Sequence, residues 1–249
     1  MKIHEIESAQ NRVYLELCDL LSSQGLTEQG RALIFGSKAT GQILAQHFDR
    51  VIGAVIHKEM EASPVAKVHQ LYKLSKGLFR TLDIFGTAQP ILIVKVPPIP
   101  DTHEGLDLKG CSLVIPFQDP GNVGALLRTA AGFGVNQILL ASGSAHPFHP
   151  KSTRAASGAV FAHRYFRLTH LSDIKLPCIA LDAKGQALNQ YVFPKDFVLV
   201  PGVEGTGLSE EVRRVVAAEL AIPLHSSVES LNATIATSIA LYSWRLQQG

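Results

Sequence analysis

Long hydrophobic runs are what this sequence most plainly lacks. No stretch approaches the roughly 18 uninterrupted apolar residues of a membrane span, and the N-terminus, MKIHEIESAQ, has no apolar signal-peptide core. A membrane protein and an exported one are therefore not expected, and the chain reads as soluble and cytoplasmic. Cysteine is scarce as well. Cys18, Cys111 and Cys178 lie far apart, odd in number and without a CxxC pair, which excludes a disulfide framework and a zinc ribbon and leaves reduced thiols filling a core. His146 and His149 sit between prolines in AHPFHP with no matched third ligand, so they read as a surface loop and no metal is expected. A large charge excess is missing too: the formal net charge of +2 is too small to announce a nucleic-acid partner by itself. There is no internal repeat and no low-complexity tract.

What is present is the composition of an ordered globular chain. Of 249 residues 46% are hydrophobic, and 13 prolines and 20 glycines are spread along the length, which fits one large or two small domains. The segment KVPPIPDTHEGLDLKG (Lys95 to Gly110) concentrates prolines, glycines and acids, disfavours helix and central strand, and so marks a connector. The expected division is 1–105 and 106–249. The first part reads as a small mixed α/β unit with a polar helix around Gln10 to Ser22, a strand ALIF (Ala32 to Phe35) and a helix from Thr40 to Phe48. Strands VIGAVI (Val51 to Ile56) and PILIVKV (Pro90 to Val96) follow, and no catalytic signature appears.

The charges are clustered even though their sum is small. Lys67, Lys73, Lys76 and Arg80 form one basic stretch without an acid, and Lys151, Arg154, Arg164 and Arg167 form another. Either a solvated face or a phosphate-contacting surface is consistent with such runs.

After the connector, apolar strand-like runs alternate with helical patterns: SLVIPF (Ser112 to Phe117), a helix from about Asn122, QILLA (Gln137 to Ala141), YFRL, LPCIALDA and FVLVPG. A helix opened by Ser209, the strand ELAIPL and a long last helix complete the series. Strands apolar throughout, alternating with helices, argue for a parallel sheet covered on both faces. Ligands of such sheets bind beyond the carboxyl ends of the strands, which directs attention to three loops.

The first, DPGNVGALLRTAAGFG (Asp119 to Gly134), offers Asn122 as an N-cap and a buried stripe of Val123, Leu126, Leu127 and Ala130, with Arg128 beside it. The second, VLVPGVEGTGLSEE (Val198 to Glu211), is a glycine-rich turn carrying one acid, Glu204. It has neither GxGxxG nor the lysine of a P-loop, so it suits a neutral or positively charged ligand better than a triphosphate. The third, IPLHSSVESLNATIATSIA (Ile222 to Ala240), has Ser226 and Glu229 at capping-box spacing, followed by Ser230, Asn232 and Thr234 at the start of a helix.

In this order and spacing, NxGxxxRTA (Asn122 to Ala130), PGVEGTGL (Pro201 to Leu208) and IPLxxxxESLN (Ile222 to Asn232) resemble the three motifs of the SpoU, or TrmH-like, family of RNA methyltransferases. KSTRAASGAVF (Lys151 to Phe161) is similar to the family's intervening segment. Less closely, ALIFGSKA and TAQPILIVKV resemble the ribosomal-protein-like substrate-binding domain that precedes the catalytic domain in many members.

The resemblance implies a parallel α/β domain whose C-terminal segment threads a trefoil knot, with S-adenosylmethionine bent inside it and an active site shared across a homodimer. It implies that Gly202, Ile222, Leu224 and Leu231 line the cofactor pocket. Asn122, Arg128, Glu204, Ser230 and Asn232 match functional positions, with Arg128 reaching into the partner subunit's site. RNA is the implied substrate, ribosomal rather than transfer RNA by analogy with two-domain members, and the basic residues Lys73, Lys76, Arg80, Lys151, Arg154, Arg164 and Arg167 are candidate phosphate contacts. Ser226 stands where members often have glycine, a departure that bears on cofactor binding. Two other readings remain at this point: an RNA-binding protein of the same fold without catalysis, and a nucleotide-binding or dehydrogenase-type enzyme, which the missing GxGxxG disfavours.

Overall fold

A computed structural model describes residues 1–102, 106–202 and 207–248. The chain forms two compact units, residues 1–98 with 145–161, and residues 99–144 with 162–249. The contacts therefore divide the chain differently from a single cut near residue 105. The helical segment after AHPFHP belongs with the first unit, and the proline-rich connector largely with the second.

The first unit contains β1 (Lys2–Ile6), α1 (Arg12–Asp19), α2 (Ser23–Gln29), β2 (Arg31–Ile34), α3 (Ser37–Gln46), β3 (Val51–His57), β4 (Gln70–Leu74), α4 (Lys76–Leu82) and β5 (Ile91–Lys95). Its sheet runs β1-β4-β3-β5-β2, parallel across β1, β4 and β3 and antiparallel at β5 and β2. The polar helix expected over Gln10 to Ser22 is two helices. Asn11 Oδ1 accepts from the Val13 and Tyr14 N–H groups to open α1, and the Ser22 hydroxyl accepts from Gly25 N–H to open α2. β1, β4 and α4 were not foreseen. KIHEI and QLYKL are half polar and contain lysines, so their pattern does not announce strands, yet β4 lies inside the parallel part of the sheet.

The second unit contains β6 (Cys111–Ile115), α5 (Pro120–Gly132) and β7 (Gln137–Leu140), after which α6 (Pro150–Ala156) belongs to the first unit. Next come β8 (Arg164–Arg167), β9 (Cys178–Ala187), β10 (Phe197–Val200), α7 (Glu210–Val215), β11 (Ala218–Ala221) and α8 (Ala233–Leu246). All six strands are parallel in the order β11-β9-β10-β6-β7-β8. Alternation of side chains along each strand sorts the core into two layers. Val114, Leu139, Ala180, Val198 and Val200 join Leu108, Phe166, Cys178 and Leu208 on one face. From the other parity of β10, Phe197 meets Trp244 of α8 edge to face, and α8 packs against α5.

The connector is not a free tether. Arg167 N–H donates to Pro100 O and Thr102 N–H to Arg167 O, so residues 100–102 run beside β8 and occupy its backbone groups. Among the described residues no helix is long and apolar enough to cross a membrane.

Candidate functional site

The sheet of the second unit has a cavity of about 960 Å³ at the carboxyl ends of β10 and β11 and along the carboxyl-terminal half of β9. Local irregularities create it. β9 bulges after Ala180: its pairing with β11 jumps from Ala180 opposite Glu219 to Gln186 opposite Leu220, so residues 181–185 swing out and form one wall. Gly185 is required there, because a Cβ would lie 2.5 Å from the Glu219 carbonyl group. Gly202, just after β10, faces the same wall, and a Cβ on it would lie 2.8 Å from Leu181 O. Only backbone fits at these two positions.

The opposite wall is residues 222–232, irregular chain running from β11 to α8. Of the residues singled out from the sequence, Gly202, Ile222, Leu224, Ser230, Leu231 and Asn232 line this one cavity, with Ser226 among them. Glu204 lies outside the described residues. Asn122 and Arg128 are not among the lining residues. Both are on α5, Asn122 half-buried in the first turn and Arg128 exposed.

Two capping assignments need correction. The cap of α5 is Asp119, whose Oδ1 accepts from Asn122 N–H at 2.9 Å, with Pro120 as the first helical residue. A proline fits there because that position has no helical acceptor for an N–H, and its fixed φ starts the helix early. Likewise Ser226 and Glu229 form no capping box. α8 begins at Ala233 and its cap is Asn232, whose Oδ1 accepts from Thr234 and Ile235 N–H at 3.0 and 3.3 Å. Ser230 thus precedes the helix. By contrast, Ser209 caps α7 as its sequence suggests, accepting from Val212 N–H at 3.2 Å.

The basic residues fall in different places. Lys73 is in β4, and Lys76 and Arg80 are one turn apart and exposed on α4. Lys151 and Arg154 are on α6 in the first unit, where the Arg154 guanidinium lies 4.4 Å from the Phe85 ring centre. Arg164 and Arg167 are exposed on β8 in the second unit, three residues apart and so on opposite sides of the strand. His146 and His149 accept through Nδ1 from Phe148 and Lys151 N–H. Burial and the Lys151 charge lower the pKa of His149. Among the described residues no cluster of histidine, cysteine or acid side chains could hold a metal ion.

Sequence reasoning missed an ionic cluster in the cavity wall. Arg213 of α7 donates to Asp182 Oδ2 at 2.6 Å and also bonds Glu219, while Asp182 Oδ1 accepts from Lys184 N–H at 2.9 Å. Asp182 and Arg213 line the cavity. The one available signal was the place of Asp182 at the end of the apolar run IALDA, where a strand of a parallel sheet meets its ligand-binding edge.

Residues 113–242 match the model of the SpoU rRNA methylase family. The chain belongs to that family. This SpoU-family chain is 43% identical over 253 residues to a Syntrophobacter fumaroxidans protein named ribosomal RNA small subunit methyltransferase G 2, covering 98% of the chain and 50% of that relative. It thus spans half the length of that protein. It is 26% identical over 250 residues to the Bacillus subtilis 23S rRNA (guanosine(2553)-2'-O)-methyltransferase RlmP, covering 97% of the chain and 99% of RlmP. Among solved structures, an RNA methyltransferase of the TrmH family from Porphyromonas gingivalis superposes with a TM-score of 0.80 at 28% identity, over 96% of this chain and 98% of that one. The SpoU methyltransferase AviRb from Streptomyces viridochromogenes, in complex with AdoMet, shares the fold with a TM-score of 0.75 at 20% identity, over 96% and 99% of the two chains.

Proposed function

We propose that this SpoU-family chain is an S-adenosylmethionine-dependent methyltransferase that acts on a ribose 2′-hydroxyl of ribosomal RNA. The observation that carries the reading is the convergence of Gly202, Ile222, Leu224, Ser230, Leu231 and Asn232 on one cavity at the carboxyl ends of β10 and β11 and along β9. Its volume, about 960 Å³, falls within the range of small-molecule sites. Ile222, Pro223 and Leu224 supply apolar side chains to the lining, which suits an adenosyl group. The naming of both relatives as rRNA methyltransferases supports ribosomal RNA, the naming of the Bacillus one as a 2′-O-methyltransferase supports the ribose oxygen, and a 2′-hydroxyl requires RNA.

When bound, the sulfonium donor supplies a methyl carbon already activated for transfer. The chain then has chiefly to position the acceptor. Orientation contributes about 7–11 kcal/mol, whereas a positioned base gives about 10²–10⁴-fold. Arg128 is better suited to holding the phosphate beside the target ribose than to taking its proton, because a guanidinium offers a planar fork of donors and no acceptor. Its charge there eases loss of the hydroxyl proton.

Arg128 is exposed on α5 rather than in the cavity of its own chain, which fits a homodimer in which each subunit completes the other's site. α8, packed beside α5, carries an outward stripe of Ile235, Tyr242 and Leu246, with Ile239 half-buried between them. Ile235 and Tyr242 are each 53% exposed and Leu246 64%, a natural face for a second copy. The trefoil knot and the cytoplasmic setting belong to the same reading. Residues 1–105 would serve as the RNA-binding domain and 106–249 as the catalytic domain, with Asn122, Glu204, Ser230 and Asn232 completing the catalytic set.

The test has two parts. Mapping of 2′-O-methyl groups in total RNA from cells with and without the protein is expected to lose one ribosomal site; loss of a transfer RNA site would instead redirect the acceptor. With purified protein, Arg128→Ala is expected to reduce methyl transfer by about 10²-fold or more while calorimetric affinity for the donor stays near wild type. Wild-type turnover in that variant would sink the assignment of Arg128, and absence of any donor binding by the wild type would sink the whole reading.

A further inference from the structure

Asp182 and Arg213 of the cavity lining form, with Glu219 outside the lining, a cluster of two carboxylates and one guanidinium. One negative charge is left over within it. The Asp182 side chain is only 9% exposed and that of Glu219 24%, so water screens this surplus poorly. The hydrogen bond that Arg213 donates to Glu219, and then the charge of Asp182, push the Arg213 pKa above its ordinary value, so the arginine stays a cation throughout. Among the described residues the other ionic side chains on the lining, Lys184 and Glu229, are exposed and opposite in sign, and they largely offset each other in water. His225, also on the lining, is exposed with Nδ1 engaged by the Ser227 hydroxyl at 2.9 Å.

We propose that Asp182 is a specificity-determining residue of the cavity, its surplus charge favouring a cationic sulfonium donor over the neutral thioether that remains after transfer. This rests on the reading of the cavity given above. The donor carries a sulfonium, an ammonium and a carboxylate, and is a cation overall. On transfer the methyl carbon bonds the ribose oxygen, the carbon–sulfur electron pair stays on sulfur, and the hydroxyl proton leaves to solvent. The thioether keeps one ammonium and one carboxylate and is neutral overall. A wall with one uncompensated negative charge therefore loses an attraction at the moment of transfer, which loosens the product and readies the cavity for the next donor.

The experiment is titration calorimetry of the full chain with S-adenosylmethionine, with the thioether product S-adenosylhomocysteine, and with sinefungin, a stable analogue bearing an amine in place of the sulfonium. The quantity read is the affinity of each cation relative to the thioether. Asp182→Asn is expected to lower that preference by roughly tenfold, and Glu219→Gln to lower it by a smaller factor in the same direction. Arg213→Gln, which removes the compensating cation, is expected to raise it. Circular dichroism identifies any variant that has not folded, and the remaining two still give opposite signs or a graded loss. An equal change for all three ligands in Asp182→Asn, or a fall in preference on Arg213→Gln, would overturn the proposal. If the wild type binds none of the three, the donor reading itself fails, an outcome distinct from binding without a charge preference.

Discussion

The His163 ring lies between the carbonyls of Leu127 and Val135, each ring nitrogen 2.9 Å from an oxygen, with Tyr165 edge-on to it. A neutral imidazole can donate to only one of them, and a second proton would satisfy both. Burial opposes that proton more strongly than the two carbonyls favour it, and the pKa is lowered from its ordinary value. The unfolded chain titrates at about 6.5, so below that pH it binds the proton that the folded ring resists. The stability this residue contributes is complete above about pH 6.5 and is lost as pH falls through 6.5 toward the folded pKa. In urea unfolding at about pH 7.5 and about pH 5.5, His163→Gln is expected to show a smaller acid-side loss than wild type, by up to about 1.4 kcal/mol per pH unit for one proton. An unchanged difference between the two pH values would show that another histidine controls it. None of this was readable from HRYF, because the acceptors are contributed by residues 28 and 36 positions earlier.

At the scale of elements, α8 illustrates where pattern reading holds and where it slips. The apolar content of SIALYSW and the preceding polar residues announce a helix, but two possible caps, Ser226 and Asn232, stand six residues apart. The earlier one loses because residues 222–232 are drawn out along the cavity, and a helix begun at Ser226 would remove that wall. The helix buries Thr234, Thr237, Ala240, Leu241 and Trp244 and leaves the Ile235, Tyr242 and Leu246 stripe outward. Tyr242→Asp combined with Leu246→Asp places two charges on that stripe and touches none of the buried positions. Light scattering is expected to give the mass of one chain for the double variant and of two for wild type, with methyl transfer lost and donor affinity largely kept. A dimer that survives both substitutions would move the interface elsewhere.

On the scale of the whole molecule, the low net charge of +2 conceals clustered cations, and under the proposed reading RNA affinity rests on them. If Lys76 and Arg80 on α4 each contact a phosphate, replacing both with alanine should flatten the dependence of log affinity on log salt by about 0.7–0.9 per lost contact. Filter binding to ribosomal RNA fragments at several salt concentrations measures this slope. An unaltered slope would make these residues a solvated face. Arg154, with its guanidinium against Phe85, is expected to contribute less than its place in the basic stretch suggests, because moving it toward a phosphate forfeits that contact.

The alternation of apolar strands with helices was sufficient to specify the parallel sheet, since a strand buried on both faces can hardly be polar, and the three motif segments identified the family. The mixed character of the first unit was legible for the same reason in its apolar strands, and illegible in KIHEI and QLYKL, whose polar residues hide their pairing. Tertiary structure alone brought residues 181–185, 202 and 222–232 around one space, and joined Asp182, Arg213 and Glu219 into a single charged cluster. Hydrophobic periodicity reports on which face of an element is buried; it carries no information about which distant loops will share a cavity or which charges will pair within it.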